Sequence, residues 1–148
     1  MSCAAIIVAR LSSTRLPGKP LFFIKGKTVL DHILVRLNNT GIFDRIVLAT
    51  TIESVDDQLE RWASCRGIKC YRGSLYNVAE RFCMAALSTD FHLFYRANGD
   101  SPFPSVRYIV DSLTQIKESR YEFLTGKSQY TGLPPGSLGE WVTCLLYT

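Results

Sequence analysis

A basic, hydroxyl-rich segment near the N-terminus is the part of the sequence best suited to binding an anion. It runs from Arg10 to Lys19 and combines three cationic side chains with three hydroxyls and a glycine. Arginine and lysine bind phosphate through charge and hydrogen bonds, and backbone N–H groups in a tight turn can form an anion-binding concavity. Gly18 would let the backbone approach a ligand closely. The alternative is a solvated basic loop that binds nothing, and composition alone does not separate the two interpretations.

Asp100 is the second candidate for chemistry, and it lies in the segment Asn-Gly-Asp-Ser-Pro. Magnesium prefers oxygen ligands and is usually held by one or two carboxylates together with substrate phosphates. The same segment is also typical of a turn in which the aspartate side chain accepts a hydrogen bond from nearby backbone. Judged by its residues alone, Asp100 fits this turn better than it fits a metal site.

Other features of the sequence exclude several classes of protein. Neither the phosphate-loop motif GxxxxGK[ST] nor the dinucleotide motif GxGxxG occurs. The five cysteines contain no CxxC pair, which argues against a zinc site or a disulfide framework and favours reduced thiols in the cytoplasm. The net charge of +4 is mild, so we expect no nucleic-acid partner. The N-terminal apolar run is too short for a signal peptide or a membrane span, so we expect no membrane partner.

The elements that must position these residues follow an alternating pattern. Short apolar runs predict strands at Cys3–Ala9, Arg45–Thr50, Ile68–Tyr71, His92–Arg96 and Tyr121–Thr125. Helical spacing predicts a helix over Thr28–Asn38 and three more that begin at Ser54, Ser74 and Ser105 as capping residues. This alternation indicates an α/β protein with three layers, in which a mainly parallel sheet carries helices on both faces.

A parallel sheet also predicts where the candidate residues meet. Ligands of such sheets bind at the carboxyl ends of the strands. The loops Arg10–Lys19, Thr50–Ser54 and Ala97–Pro104 should therefore open on one edge, which favours the phosphate-site interpretation of the first loop. A length of 148 residues suits a single domain over residues 1–148. Within it, residues 126–148 are rich in glycine and proline and are expected to be irregular, with one more strand near the end.

The segment IIVARLSSTRLPGKPL closely resembles the N-terminal signature of cytidylyltransferases that activate acidic sugars. These include the 3-deoxy-manno-octulosonate and acylneuraminate cytidylyltransferases, and the closest resemblance is to the branch named for spore-coat polysaccharide biosynthesis. The segments RIVLAT, YRGSLYNVAERF and YRANGDSPFP follow in the family's order. The resemblance covers about residues 4–112.

This resemblance implies a function and a set of site residues. The function would be Mg²⁺-dependent transfer of CMP from CTP to an acidic sugar or related precursor of a cell-envelope polysaccharide, with release of pyrophosphate. The residues implied in catalysis are Arg10, Arg15, Lys19 and Asp100, of which Asp100 would bind the metal. The residues implied in nucleotide binding are Ala9, Arg10, Ser13, Arg15, Lys19, Thr50 and Arg72. Arg72 could equally be a surface arginine at the end of a strand.

Two further hypotheses stay open beside this one. The first is a nucleotide-binding relative or fragment that is catalytically incomplete, because family members run well past 148 residues and residues 126–148 would then be a shortened acceptor-side region. Glu140 stands at the place of a late family glutamate, and Asn77 stands where relatives often carry aspartate. The second is a different enzyme of the same broad fold, but the sequence lacks both a DxD motif and a glycine-rich first loop. Self-association as a homodimer is a further expectation.

Overall fold

The structure, a computed structural model, describes residues 2–119, 121–126 and 132–143. Its strands are β1 (Cys3–Val8), β2 (Phe23–Ile24), β3 (Lys27–Thr28), β4 (Arg45–Thr51), β5 (Lys69–Gly73), β6 (Leu93–Asn98), β7 (Phe123–Thr125) and β8 (Glu140–Thr143). Its helices are α1 (Val29–Asn39), α2 (Asp57–Ser64), α3 (Val78–Leu87) and α4 (Val106–Glu118). The predicted strands and helices are all present, with ends that differ by a few residues.

A six-stranded sheet forms the middle layer, in the order β5-β4-β1-β6-β8-β7. β1 pairs in parallel with both β4 and β6, and β4 pairs in parallel with β5. β8 runs antiparallel to β6 and to β7. The mainly parallel sheet predicted from the sequence is therefore confirmed. Residues 140–143 form the additional strand that was expected near the end of the chain, and it lies beside β6.

The alternation of side chains along β1 separates two apolar layers. Ala5 and Ile7 belong to a cluster that contains the inner faces of α1, α2 and α4, whereas Ala4 and Ile6 pack with α3. Successive side chains of a strand point to opposite faces, so one buried strand supplies both cores. Helices thus cover both faces of the sheet, as predicted. Among the described residues, no helix is long and apolar enough to cross a membrane.

The capping residues show where local pattern and structure differ. Thr28 and Asp31 form a reciprocal capping box at the start of α1. Ser54 caps nothing, because it opens a short 3-10 turn and α2 begins only at Asp57. The cap of α3 is Asn77, whose side chain accepts from the Glu80 N–H, and not Ser74, whose hydroxyl accepts from the Asn77 N–H. A polar residue before a helix is a weak marker of its first turn because several such residues compete for the position.

A glycine brings the ends of the two central strands together. The Gly99 N–H donates to the Val8 carbonyl at 2.9 Å. A Cβ atom at Gly99 would lie 2.5 Å from the Ala9 Cβ and 2.8 Å from the Val8 oxygen, so a larger residue would push the two loops apart. The loop after β6 can therefore lie directly against the loop after β1.

Candidate functional site

A cavity of about 250 Å³ opens at the carboxyl ends of β1 and β6. Its walls are the end of β1 with the loop that follows, two residues of α3, and the end of β6 with the loop that follows. This is the edge at which ligands of parallel α/β sheets bind. The loop Thr50–Ser54 opens on the same edge, as expected, because β4 runs parallel to β1, but it does not line the cavity.

Six of the eight predicted site residues line this cavity. They are Ala9, Arg10, Ser13, Arg15, Lys19 and Asp100. Two further cations, Arg81 from α3 and Arg96 from β6, line it as well. Among the described residues the lining therefore holds five cations and one carboxylate. Such an excess of positive charge within one concave surface favours an anionic ligand of several charges.

Leu11 fixes the shape of the basic loop. Its side chain is 4% exposed and packs into the core on the α1 face of the sheet. Its carbonyl accepts from the Gly18 N–H at 2.9 Å, which closes residues 11–18 into a loop. Gly18 has a φ of +75°, a left-handed conformation that glycine adopts without strain. The loop is thus held at both ends, while Ser13 and Arg15 between them face the cavity.

The Asp56 side chain binds the backbone N–H of Leu11. Its fully buried carboxylate accepts from the Leu11 N–H at 2.8 Å, from the Thr51 N–H at 3.3 Å and from the Thr51 hydroxyl. One carboxylate therefore ties the basic loop to the end of β4. The sequence suggested only a residue in the first turn of a helix, because nothing local indicates a partner that lies 45 positions away.

Lys19 and Asp100 meet at the mouth of the cavity. The Lys19 Nζ lies 3.0 Å from the Asp100 Oδ2, and the Asp100 side chain is 52% exposed. The hydroxyl of Ser101 lies 3.4 Å from the other carboxylate oxygen. Asp100 is therefore not closed off in a buried turn. Its carboxylate faces solvent and cations, which suits a hard divalent ion that also takes phosphate oxygens as ligands.

Arg81 and Arg96 are the two cavity cations that the sequence analysis did not predict as site residues. Both lie in segments that carry the family resemblance, so the signal was present in YRGSLYNVAERF and YRANGDSPFP. Arg96 pairs with Glu140 of β8 at 2.5 Å. Burial lowers the pKa of the Arg81 guanidinium, and the neighbouring charges of Arg10 and Arg96 lower it further.

Thr50 and Arg72 do not line the cavity. Thr50 is fully buried within β4, and its backbone partner in the sheet is Arg72 of β5. The Arg72 guanidinium pairs with Asp57 at 2.7 Å and with Glu60 at 2.9 Å, and it donates to two backbone carbonyls. These contacts join β5 to α2, and Arg72 lies near the end of β5, where the alternative interpretation placed a surface arginine. A role for either residue in nucleotide binding stays a prediction.

Solved structures share this architecture. A cytidylyltransferase from Leptospira borgpetersenii serovar Hardjo-bovis (strain JB197) matches with a TM-score of 0.90 and 30% identity, covering 99% of this chain and 62% of that protein. A CMP:2-keto-3-deoxy-manno-octonic acid synthetase complexed with CTP matches with a TM-score of 0.72 and 21% identity, covering 83% and 51%. The sheet order and the helices on both faces thus define a nucleotidyltransferase-like fold.

The family follows from the sequence comparison. A family model described as cytidylyltransferase matches residues 4–135. The spore coat polysaccharide biosynthesis protein SpsF of Bacillus subtilis (strain 168) is 34% identical over 102 residues, or 66% of this chain. The chain belongs to the cytidylyltransferase family, which confirms the resemblance found in its motifs. It spans about half the length of the curated relatives it matches, 55% and 42% for two of them.

Proposed function

We propose that this protein transfers CMP from CTP to an acidic sugar or a related polysaccharide precursor and releases pyrophosphate. The observation that carries the proposal is the cavity at the carboxyl edge of the sheet. There the family's basic loop converges with Asp100, which lies 81 positions after Lys19, and five cations surround a space large enough for a phosphate chain. Family membership supports cytidine as the base and a sugar-type acceptor.

The reaction would be an in-line displacement at the α-phosphorus of CTP. An acceptor oxygen forms a bond to phosphorus, the bond to the β-phosphate breaks, and pyrophosphate leaves with its electron pair. Catalysis of this kind rests on positioning and on neutralising the charge that develops on the leaving group. Arg10, Arg15 and Lys19 would bind the phosphate oxygens, and the N–H groups of the loop would add to the positive field.

Asp100 would hold Mg²⁺ together with phosphate oxygens, and the ion supplies charge neutralisation at those oxygens when bound. The ion pair between Asp100 and Lys19 is consistent with this assignment. Lys19 would move to the incoming phosphate, because that group carries more negative charge than one carboxylate. Asp100 would then be free to act as a metal ligand.

Location and assembly are parts of the same proposal. Cys3, Cys65 and Cys70 are free thiols, which fits a cytoplasmic protein. We place residues 1–148 in one nucleotide-binding domain. Exposed apolar side chains such as Phe23 and Tyr76 support self-association as a homodimer. Sedimentation at micromolar concentration would show a two-fold mass if this is so.

The test is a calorimetric titration with CTP, ATP, GTP and UTP, each with and without Mg²⁺. We expect CTP to bind most tightly and Mg²⁺ to strengthen its binding. The Asp100→Asn variant should bind CTP normally without Mg²⁺ and lose most of the gain that Mg²⁺ gives. Asp111→Asn removes an exposed carboxylate at a distance from the cavity lining and serves as the matched control.

Binding and turnover must be measured separately. Pyrophosphate release in the presence of CTP, Mg²⁺ and 3-deoxy-manno-octulosonate or N-acetylneuraminate would establish the transferase. Selective CTP binding without release from any acidic sugar would favour the alternative, a nucleotide-binding relative that lacks turnover. Equal affinity for all four triphosphates, or none for any, would overturn the cytidylyltransferase proposal.

A further inference from the structure

Arg81 is a buried cation without a partner of opposite charge in the part of the chain that the structure describes. Its residue surface is 2% exposed, although it lies on the cavity-facing side of α3. One terminal nitrogen donates to the Ser74 carbonyl at 2.6 Å, and the Nε is buried without a hydrogen-bond partner. No carboxylate among the described residues forms an ion pair with it. A buried charge without a counterion costs several kcal/mol unless something else compensates it.

The surroundings of Arg81 add to this cost. Burial lowers the pKa of the Arg81 guanidinium most, and the nearby positive charges of Arg10 and Arg96 lower it as well. The one carboxylate that acts in the opposite sense belongs to Asp56, which already accepts three hydrogen bonds from Leu11 and Thr51. Arginine stays protonated even so, because its guanidinium cannot be deprotonated under ordinary conditions.

Arg10, Arg81 and Arg96 reach the cavity from three different elements. Arg10 follows β1, Arg81 comes from α3, and Arg96 comes from β6. Glu140 pairs with Arg96 and so orients its guanidinium. The three cations repel one another. An oxyanion that binds between them would attract all three and so offset this repulsion.

We propose that Arg81, with Arg96 and with Arg10 at the start of the basic loop, forms an oxyanion subsite on the α3 side of the cavity. The identity of its ligand rests on the proposed function. The chemistry is that of a planar guanidinium binding two oxygens of one anionic group. A phosphate of the nucleotide and the carboxylate of an acidic acceptor both have this chemistry, and the experiment distinguishes them.

The experiment compares Arg81→Met and Arg81→Lys with the unsubstituted protein. Methionine keeps much of the buried volume and removes the charge, whereas lysine keeps the charge and loses the planar fork. Arg107→Met removes one positive charge from an exposed site on α4 and is the matched control. The probes are inorganic pyrophosphate, CTP with Mg²⁺, and N-acetylneuraminate added after CTP. The readouts are the dissociation constant and the shift in Tm that each probe causes.

If the ligand is a phosphate, Arg81→Met should bind pyrophosphate and CTP about tenfold more weakly, or weaker still. Arg81→Lys should have an intermediate affinity, and the affinity of Arg107→Met should not change. If the ligand is a carboxylate, only the affinity of Arg81→Met for N-acetylneuraminate should fall by that factor. In both cases the Tm of ligand-free Arg81→Met should fall by less than the Tm shift that the ligand causes in the unsubstituted protein. The reason is that the substitution removes a buried, unpaired charge. Unchanged affinity for all three probes in Arg81→Met would overturn the subsite.

The two proposals can fail separately. Pyrophosphate binding that is lost in Arg81→Met, together with no preference for CTP, would refute the cytidylyltransferase proposal and leave the subsite standing. Selective CTP binding that survives in both Arg81 variants, with no loss of sugar-acid binding, would refute only the subsite. A large fall in the Tm of both variants with normal ligand shifts would assign Arg81 to the fold.

Discussion

Two clusters of charged side chains in this protein differ in how their charges are matched. The first lies where α1 begins and α2 ends. There Asp31 accepts from the Thr28 backbone and hydroxyl, from the Trp62 indole at 3.1 Å and from Arg66 at 2.5 Å. Arg66 also stacks on the Trp62 ring, with 4.6 Å from its Cζ to the ring centroid. Each member of this cluster is satisfied by another member.

The second cluster is the cavity at the carboxyl edge of the sheet, and its charges do not balance. Five cations face one carboxylate there, and the buried Arg81 has an unpartnered Nε. A folded protein rarely leaves buried polar groups unpaired, so such groups require an explanation. The contrast indicates that the first cluster stabilises the fold, whereas the second is completed by a ligand. Three substitutions test this division.

Asp56→Asn should have the largest effect because it lies between the fold and the cavity. The amide can accept with one oxygen only, so either the Leu11 N–H or the two Thr51 donors lose their acceptor. We expect a loss of about 3 kcal/mol in the free energy of unfolding and several-fold weaker CTP binding. Urea denaturation and calorimetry measure the two effects. Asp57→Asn is the neighbouring control, and a loss as large in that variant would contradict a special role for Asp56.

Asp31→Asn should change stability and leave CTP binding as it is. Burial works against the charged form of Asp31, but hydrogen bonds from Arg66 and Thr28 outweigh it and lower the pKa from 3.8 to about 2. A carboxyl group whose pKa is lower in the folded state stabilises the fold at pH values above its unfolded-state pKa. This contribution is lost as the pH falls through the folded-state pKa. The difference from the unsubstituted protein should be about 2 kcal/mol at pH 7 and should vanish between about pH 4 and 2.

Urea denaturation at several pH values checks this expectation. Asp111→Asn removes an exposed i,i+4 partner of Arg107 and should cost less than about 0.5 kcal/mol at every pH. A difference for Asp31→Asn that does not change with pH would show that its charge is not what stabilises the cluster.

Arg15→Ala should have the smallest effect and the opposite pattern. The side chain is exposed in the basic loop and lines the cavity, so its loss should weaken CTP binding about tenfold, or about 1.4 kcal/mol, through lost charge-assisted hydrogen bonds. The free energy of unfolding should stay within about 0.5 kcal/mol of the original. Lys25→Ala, outside the cavity lining, is the control. Unchanged CTP affinity in Arg15→Ala would remove the middle of the loop from the site.

Much of the fold was predictable because it follows from local pattern. Apolar runs predicted the buried strands. The helical spacing of Val29, Leu30, Ile33 and Leu37 predicted α1 nearly to its ends. The caps of α2 and α3 were wrong because several polar residues precede each helix. A strand near the end of the chain was expected, but its antiparallel pairing with β6 was not, because Glu140–Thr143 is short and nothing local indicates its neighbour in the sheet.

The sequence by itself determined the parallel α/β architecture, the family and the basic loop, because apolar periodicity and a contiguous motif are written along the chain. The tertiary structure alone decided which side chains share the cavity. It brought in Arg81 and Arg96, left Arg72 in contact with α2, and gave the buried Asp56 its role in holding Leu11. The physical reason is that charge pairing depends on distance in space. Whether a cation is satisfied or left for a ligand is settled only when remote segments pack together.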